Sequence, residues 1–140
     1  MSQTARIARL VFLVVALVPS VLAATAARCE NWPEWRGPNR NAVSSEKGIP
    51  FRWSDREGIL WRVPLIDSGG SSPIVWDDKV LVTAADGPKK SNLHVICLSR
   101  DTGKELWHRQ FWGTAPTLYH DSKGSMATPA PVTDGVDVYV

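Results

Sequence analysis

The chain has 140 residues and a formal net charge of +2, and beyond its first segment it holds no cluster of lysine or arginine. This charge pattern argues against nucleic acid or an anionic membrane surface as a partner. Two cysteines, Cys29 and Cys97, are too few for a disulfide framework in a chain of this length. Cys97 lies in an apolar strand pattern, so we expect it to be a small buried side chain. A single bridge between the two cysteines remains open.

The first segment predicts export. Two basic residues, Arg6 and Arg9, precede an apolar run at Leu10–Leu22, and small residues follow. The run is about 13 residues long, whereas a membrane span needs roughly 20, so residues 1–26 are predicted to be a cleaved signal peptide with the new N-terminus at Ala24–Ala27. Its removal leaves 14 basic and 14 acidic residues. We expect a periplasmic or extracellular protein with no stable membrane insertion after cleavage.

A lead-in segment over residues 27–57 is followed by a region that is poor in helix signals and rich in short β-runs. Four runs are apolar or β-branched and are separated by turn residues such as Asp77, Asp101 and Gly103. They lie at residues 72–76, 80–84, 94–98 and 105–111. Runs linked by short turns in this way predict one up-and-down antiparallel sheet.

Internal repeats extend this prediction. Residues 58–65 match residues 104–111 around a shared Leu-Trp pair at an offset of 46, and the hairpin at 73–82 recurs at 131–140 at an offset of 58. Repeated four-stranded units are typical of β-propeller blades. The predicted fold is therefore an all-β β-propeller with four-stranded antiparallel blades, of which about one and a half are present. The predicted parts are a strand of the closing blade at 58–66, blade one at 71–111, an inserted loop at 112–128 and the start of blade two at 129–140.

The segment from Cys97 to Trp107 resembles the tryptophan-docking repeat of the PQQ-like (pyrrolo-quinoline quinone repeat) β-propeller family, Ala-x-Asp-x-x-Thr-Gly-x-x-x-Trp. Thr102, Gly103 and Trp107 match this repeat, whereas Cys97 replaces the alanine and Ser99 the aspartate. The resemblance implies that Trp107 packs between neighbouring blades and that Gly103 forms the last turn of the sheet. We expect Trp107 to be buried.

Two further segments carry the same resemblance. Residues 32–38, Trp-Pro-Glu-Trp-Arg-Gly-Pro, are similar to the start of exported planctomycete-type propellers, which are related in fold to the propeller of the outer-membrane assembly machinery. Residues 127–135 resemble the second-blade opening of those proteins. Trp61 has no Thr-Gly pair upstream and is interpreted as a degenerate copy of the repeat. The chain ends inside an apolar run at 136–140, so we expect an N-terminal fragment of a ring that needs at least about four blades.

The family also contains quinoprotein dehydrogenases, which hold PQQ and Ca²⁺ in the central channel beside an adjacent cysteine pair. Cys29 and Cys97 are 68 positions apart, and the sequence has no haem-attachment motif. We therefore expect no cofactor, and part of a PQQ-dependent dehydrogenase is the alternative hypothesis.

The residue types that often carry chemistry have structural interpretations here, so no catalytic, cofactor or metal residue is predicted. His94 and His108 lie in strand patterns and His120 in the inserted loop, without a second ligand at metal-like spacing. Asp77 and Asp78 occupy a hairpin turn. Residues 68–72 lack the Lys-Ser/Thr of a phosphate loop.

The predicted function is a non-catalytic exported module that binds or scaffolds a protein, or else a glycan. Loops on a rigid scaffold carry recognition. The inserted loop, with Trp112, Tyr119 and His120, is therefore the predicted contact surface.

Overall fold

The computed structural model describes residues 29–67, 69–114 and 124–140. Four strands form one antiparallel sheet in the order β1-β2-β3-β4, and two more form a separate hairpin. The strands are β1 (Ile74–Trp76), β2 (Lys79–Asp86), β3 (Asn92–Ser99), β4 (Glu105–Trp112), β5 (Val132–Thr133) and β6 (Val138–Tyr139). Within these described ranges the only helix is one 3₁₀ turn at Pro88–Lys90. The all-β prediction and the four predicted strands of the sheet are confirmed.

The four-stranded sheet presents two apolar faces because alternate residues of a strand point to opposite sides. Face A carries Ile74, Leu81, Cys97 and Trp107, which are successive cross-strand partners from β1 to β4. Face B carries Val80, Val82, Ile96 and Leu98 from β2 and β3. Strands β2 and β3 are buried on both sides over most of their length. A sheet of this kind needs a covering layer on each face.

The β5–β6 hairpin covers face A. Val138 packs against the cluster of Ile74, Leu81 and Cys97. The ring of Trp76 lies against the hairpin turn at Gly135, which has φ +94°. The buried Thr83 hydroxyl donates to the Ala127 carbonyl at 3.0 Å, so the chain just before β5 is also tied to this face.

Residues 60–66 cover face B. Trp61, Val63 and Ile66 pack against Val82, Ile96 and Leu98, whereas Arg62 is exposed. The sequence predicts a strand at 58–66, but this segment forms no strand. Its alternating side chains match those of a strand, yet it lies across a face of the sheet, where no strand edge offers a backbone ladder.

The lead-in segment pairs with the free edge of β1. Trp32 exchanges two backbone hydrogen bonds with Val75, at 2.8 and 2.9 Å, and the Pro33 carbonyl accepts from the Thr133 amide at 3.0 Å. Val75 and Thr133 are equivalent positions of the repeat with the 58-residue offset. The lead-in therefore joins the corresponding strands of the two sheets.

The predicted signal peptide, residues 1–26, lies outside the described residues. Across 29–67, 69–114 and 124–140 there is no helix of sufficient length and apolar character to cross a bilayer.

Candidate functional site

The turn between β3 and β4 is held by backbone and side-chain bonds. Ser99 donates its amide to the Lys104 carbonyl, and the Gly103 amide donates to the Ser99 carbonyl, both at 2.8 Å. The Thr102 hydroxyl accepts from the Lys104 amide at 3.3 Å. The Arg100 amide donates to the Asp78 carbonyl at 2.8 Å, which joins this turn to the β1–β2 turn. The result is a rigid end of the sheet, with Gly103 buried at its centre.

Trp61 docks on this turn from face B. Its indole N–H donates to the Arg100 carbonyl at 2.6 Å. Gly103 has φ +69°, and a Cβ placed there would lie 2.7 Å from Trp61 Cδ2 and 2.9 Å from Val63 Cγ2. Glycine is therefore required at this position for two reasons: the left-handed backbone and the space taken by the indole. The sequence pattern marks Trp61 only as a degenerate copy of the repeat and does not predict this contact.

Trp107 occupies the other face of the sheet. It packs against the cluster of Ile74, Leu81 and Cys97, and the Arg109 guanidinium carbon lies 6.0 Å from the centroid of its ring. The side chain is half-buried, less than the burial predicted for it. The three residues that match the repeat, Thr102, Gly103 and Trp107, therefore do not form one contact. Gly103 packs against Trp61, whereas Trp107 lies on the side of the β5–β6 hairpin.

The predicted recognition loop begins at the opposite end of the sheet. Trp112 is the last residue of β4 and not a loop residue, and it is 68% exposed beside the exposed Phe111. Gly113 then donates its amide to the Ser91 carbonyl at 2.8 Å, which fixes the exit of the strand. Tyr119 and His120 lie outside the described residues.

A hollow of about 350 Å³ lies on face A at the end of β4, and its lining is mostly apolar. Leu93 and Phe111 line it from the sheet, and Met126 and Val140 line it from the chain that covers this face. Phe111 lines this hollow on face A, whereas Trp112, the next residue, lies on the face B side of the same strand end. We call this strand end the β4 rim: Phe111, Trp112 and the residues of the hollow.

A hydrogen-bonded row on face B was not predicted. The side chain of His94 is only 4% exposed. Its Nδ1 lies 2.8 Å from Nε2 of His108, and its Nε2 lies 3.1 Å from Oδ1 of Asp86. The bond from His94, and after it one from Asn92, lowers the pKa of the Asp86 carboxyl. Residues 94 and 108 share a face because of the register in which β3 and β4 pair, and the sequence pattern alone does not specify that register.

Cys29 and Cys97 are unpaired, and Cys97 is buried as predicted. Burial is the main cause of the raised pKa of its thiol. In the part of the chain that the structure describes, no group of three or more His, Cys, Asp or Glu residues could hold a metal ion.

Comparison of the chain with protein-family models, with curated proteins and with solved structures finds no match.

Proposed function

We propose that the chain is part of an exported β-propeller of the PQQ-like repeat type, and that it acts as a non-catalytic scaffold that binds a protein at the β4 rim. The observation that carries the repeat assignment is the docking of Trp61 on the Ser99–Lys104 turn. Trp61 lies outside the four-stranded sheet and packs against the turn that connects β3 to β4, the last strand of that sheet. The docking-repeat resemblance implies a tryptophan packed between neighbouring blades, a role that it gives to Trp107 and that Trp61 fills at this turn.

The layers around the sheet support the same assignment. A propeller blade is a four-stranded antiparallel sheet with a neighbour on each face. Here residues 60–66 lie on face B and the β5–β6 hairpin on face A. The equivalence of Val75 and Thr133, which both bond to the lead-in, agrees with two successive blades that start in the same way.

The binding role rests on the β4 rim. Large aromatic side chains are enriched where proteins bind one another, and Trp112 presents most of its surface to solvent at the end of a rigid strand. The hollow that the neighbouring Phe111 lines on face A gives an apolar side chain of a partner a place to enter. Rigid support with an exposed aromatic anchor favours recognition of a protein over catalysis.

Site-specific photo-crosslinking in the exporting cell tests this function. A photoreactive phenylalanine at Trp112 is compared with the same group at Trp53, which is 71% exposed in the lead-in segment and serves as the matched control. We expect one discrete crosslinked protein from position 112 and none from position 53. Equal crosslinking at both positions, or none at 112, would contradict the proposal. A bound quinone spectrum on addition of PQQ and Ca²⁺ would instead favour a dehydrogenase.

A further inference from the structure

The row Asp86–His94–His108 has a defined proton arrangement. A carboxylate can only accept hydrogen bonds, so His94 donates to Asp86 from Nε2–H. A neutral imidazole has one donor and one acceptor nitrogen, which makes Nδ1 of His94 the acceptor. His108 must then donate to it from Nε2–H across the 2.8 Å contact. Every polar atom in the row has one role.

The row takes up a first proton without losing a bond. His108 can receive the proton on Nδ1, and its Nε2–H continues to donate to His94. The charges of the row then cancel, because the Asp86 carboxylate is negative and one imidazolium is positive. Histidine is the side chain that changes charge between about pH 5 and 8.

A second proton breaks the row. The only nitrogen left for it is Nδ1 of His94, which faces Nε2–H of His108. Two N–H groups would then point at each other and two imidazolium rings would lie with centroids 5.0 Å apart. The ring of His94 is buried, so water can neither replace the lost bond nor screen the repulsion effectively.

The charged groups around the row do not change these two protonation steps. From β2 the row meets Asp86, and Lys90 of the 3₁₀ turn lies near that carboxylate while forming an ion pair with Asp67. On β4 the cross-strand partner of His94 is the uncharged Gln110. Arg109 points to face A, where it contacts Trp107. The segment that covers face B packs there through apolar side chains, Trp61, Val63 and Ile66.

We infer that Asp86, His94 and His108 form a proton-operated latch that holds the end of β4 against β3 with up to one bound proton and releases it with two. His108 precedes Phe111 by three residues in β4, so release loosens the strand end that carries the β4 rim. That consequence rests on the proposed function, whereas the latch itself does not.

Amide hydrogen exchange of β4 in the full protein, corrected for the intrinsic pH dependence of exchange, tests the latch. Loss of one buried hydrogen bond corresponds to about a tenfold loss of protection, which we expect for residues 108–112 between about pH 7.5 and pH 5. His108→Gln can still donate to His94 but takes up no proton, so its protection should stay level. The control Glu105→Gln removes an exposed titratable group at the other end of β4 and should behave like the wild type. A level wild-type profile, or the same loss in His108→Gln, would overturn the latch.

A second measurement on the unaltered protein remains decisive if a variant fails to fold. Long-range proton–nitrogen NMR at about pH 8 reports which nitrogen of each histidine carries the proton. We expect Nε2–H on both His94 and His108. Nδ1–H on His94 would contradict the latch, and this result is independent of whether any partner binds the β4 rim.

Discussion

The docking of Trp61 on the β3–β4 turn can be tested by Trp61→Ala. Truncation of a core tryptophan costs about 3 to 5 kcal/mol. Trp61 is half-buried, so its share of that loss is smaller, and the lost bond to Arg100 O adds about 1 kcal/mol. We expect the free energy of unfolding to fall by about 2 to 3 kcal/mol. Trp61→Phe keeps an aromatic ring over Gly103 and loses the N–H donor, so it should cost about 1 kcal/mol.

Urea unfolding of the full protein, followed by far-ultraviolet circular dichroism, measures these losses. The matched control is Trp53→Ala, which removes a tryptophan that is 71% exposed and should change the free energy of unfolding by less than about 0.5 kcal/mol. Docking of Trp61 on the turn is refuted if Trp61→Ala costs no more than Trp53→Ala. It is also refuted if Trp61→Phe costs as much as Trp61→Ala, because the ring would then contribute nothing.

Three more predictions follow from the described contacts and from the first segment. Gly103→Ala should destabilise the protein by more than Gly48→Ala in the same urea assay: both glycines have positive φ, but only a Cβ at Gly103 would strike the docked indole. Equal costs would show that the indole is not there. Cys29 should react with iodoacetamide in the folded protein, while Cys97 should react only after unfolding, because burial raises the pKa of the Cys97 thiol. Mass spectrometry of the alkylated peptides measures this difference. Rapid labelling of Cys97 in the folded protein would contradict its burial. N-terminal sequencing of exported protein should find a start at Ala24–Ala27, whereas retention of Met1 in a membrane fraction would indicate an anchor.

The strands were predictable because their signals are local. Short β-branched runs such as 80–84 and 94–98, separated by turn residues, specify an antiparallel meander whatever surrounds it. The burial of Cys97 followed from the same pattern. The hairpin at β5 and β6 was predictable from its repeat of the earlier one.

The contacts on the faces of the sheet could not be predicted, because they join residues far apart in the chain. Trp61 and Arg100 are 39 positions apart, and no local pattern specifies which turn an indole will fill. The pair of His94 and His108 depends on the β3–β4 register, and a shift of one residue would place them on opposite faces. The bonds from the lead-in to Val75 and Thr133 depend on strand edges that only the folded sheet creates.

A crystal or cryo-electron microscopy structure of the complete gene product is the most direct test of the propeller assignment. We expect a closed ring in which the sheet of β1 to β4 is one blade, the β5–β6 hairpin opens the next, and Trp61 approaches Gly103 from the blade on the other side. An open sandwich without radial repetition, or a ring in which Trp61 leaves the Ser99–Lys104 turn, would contradict it.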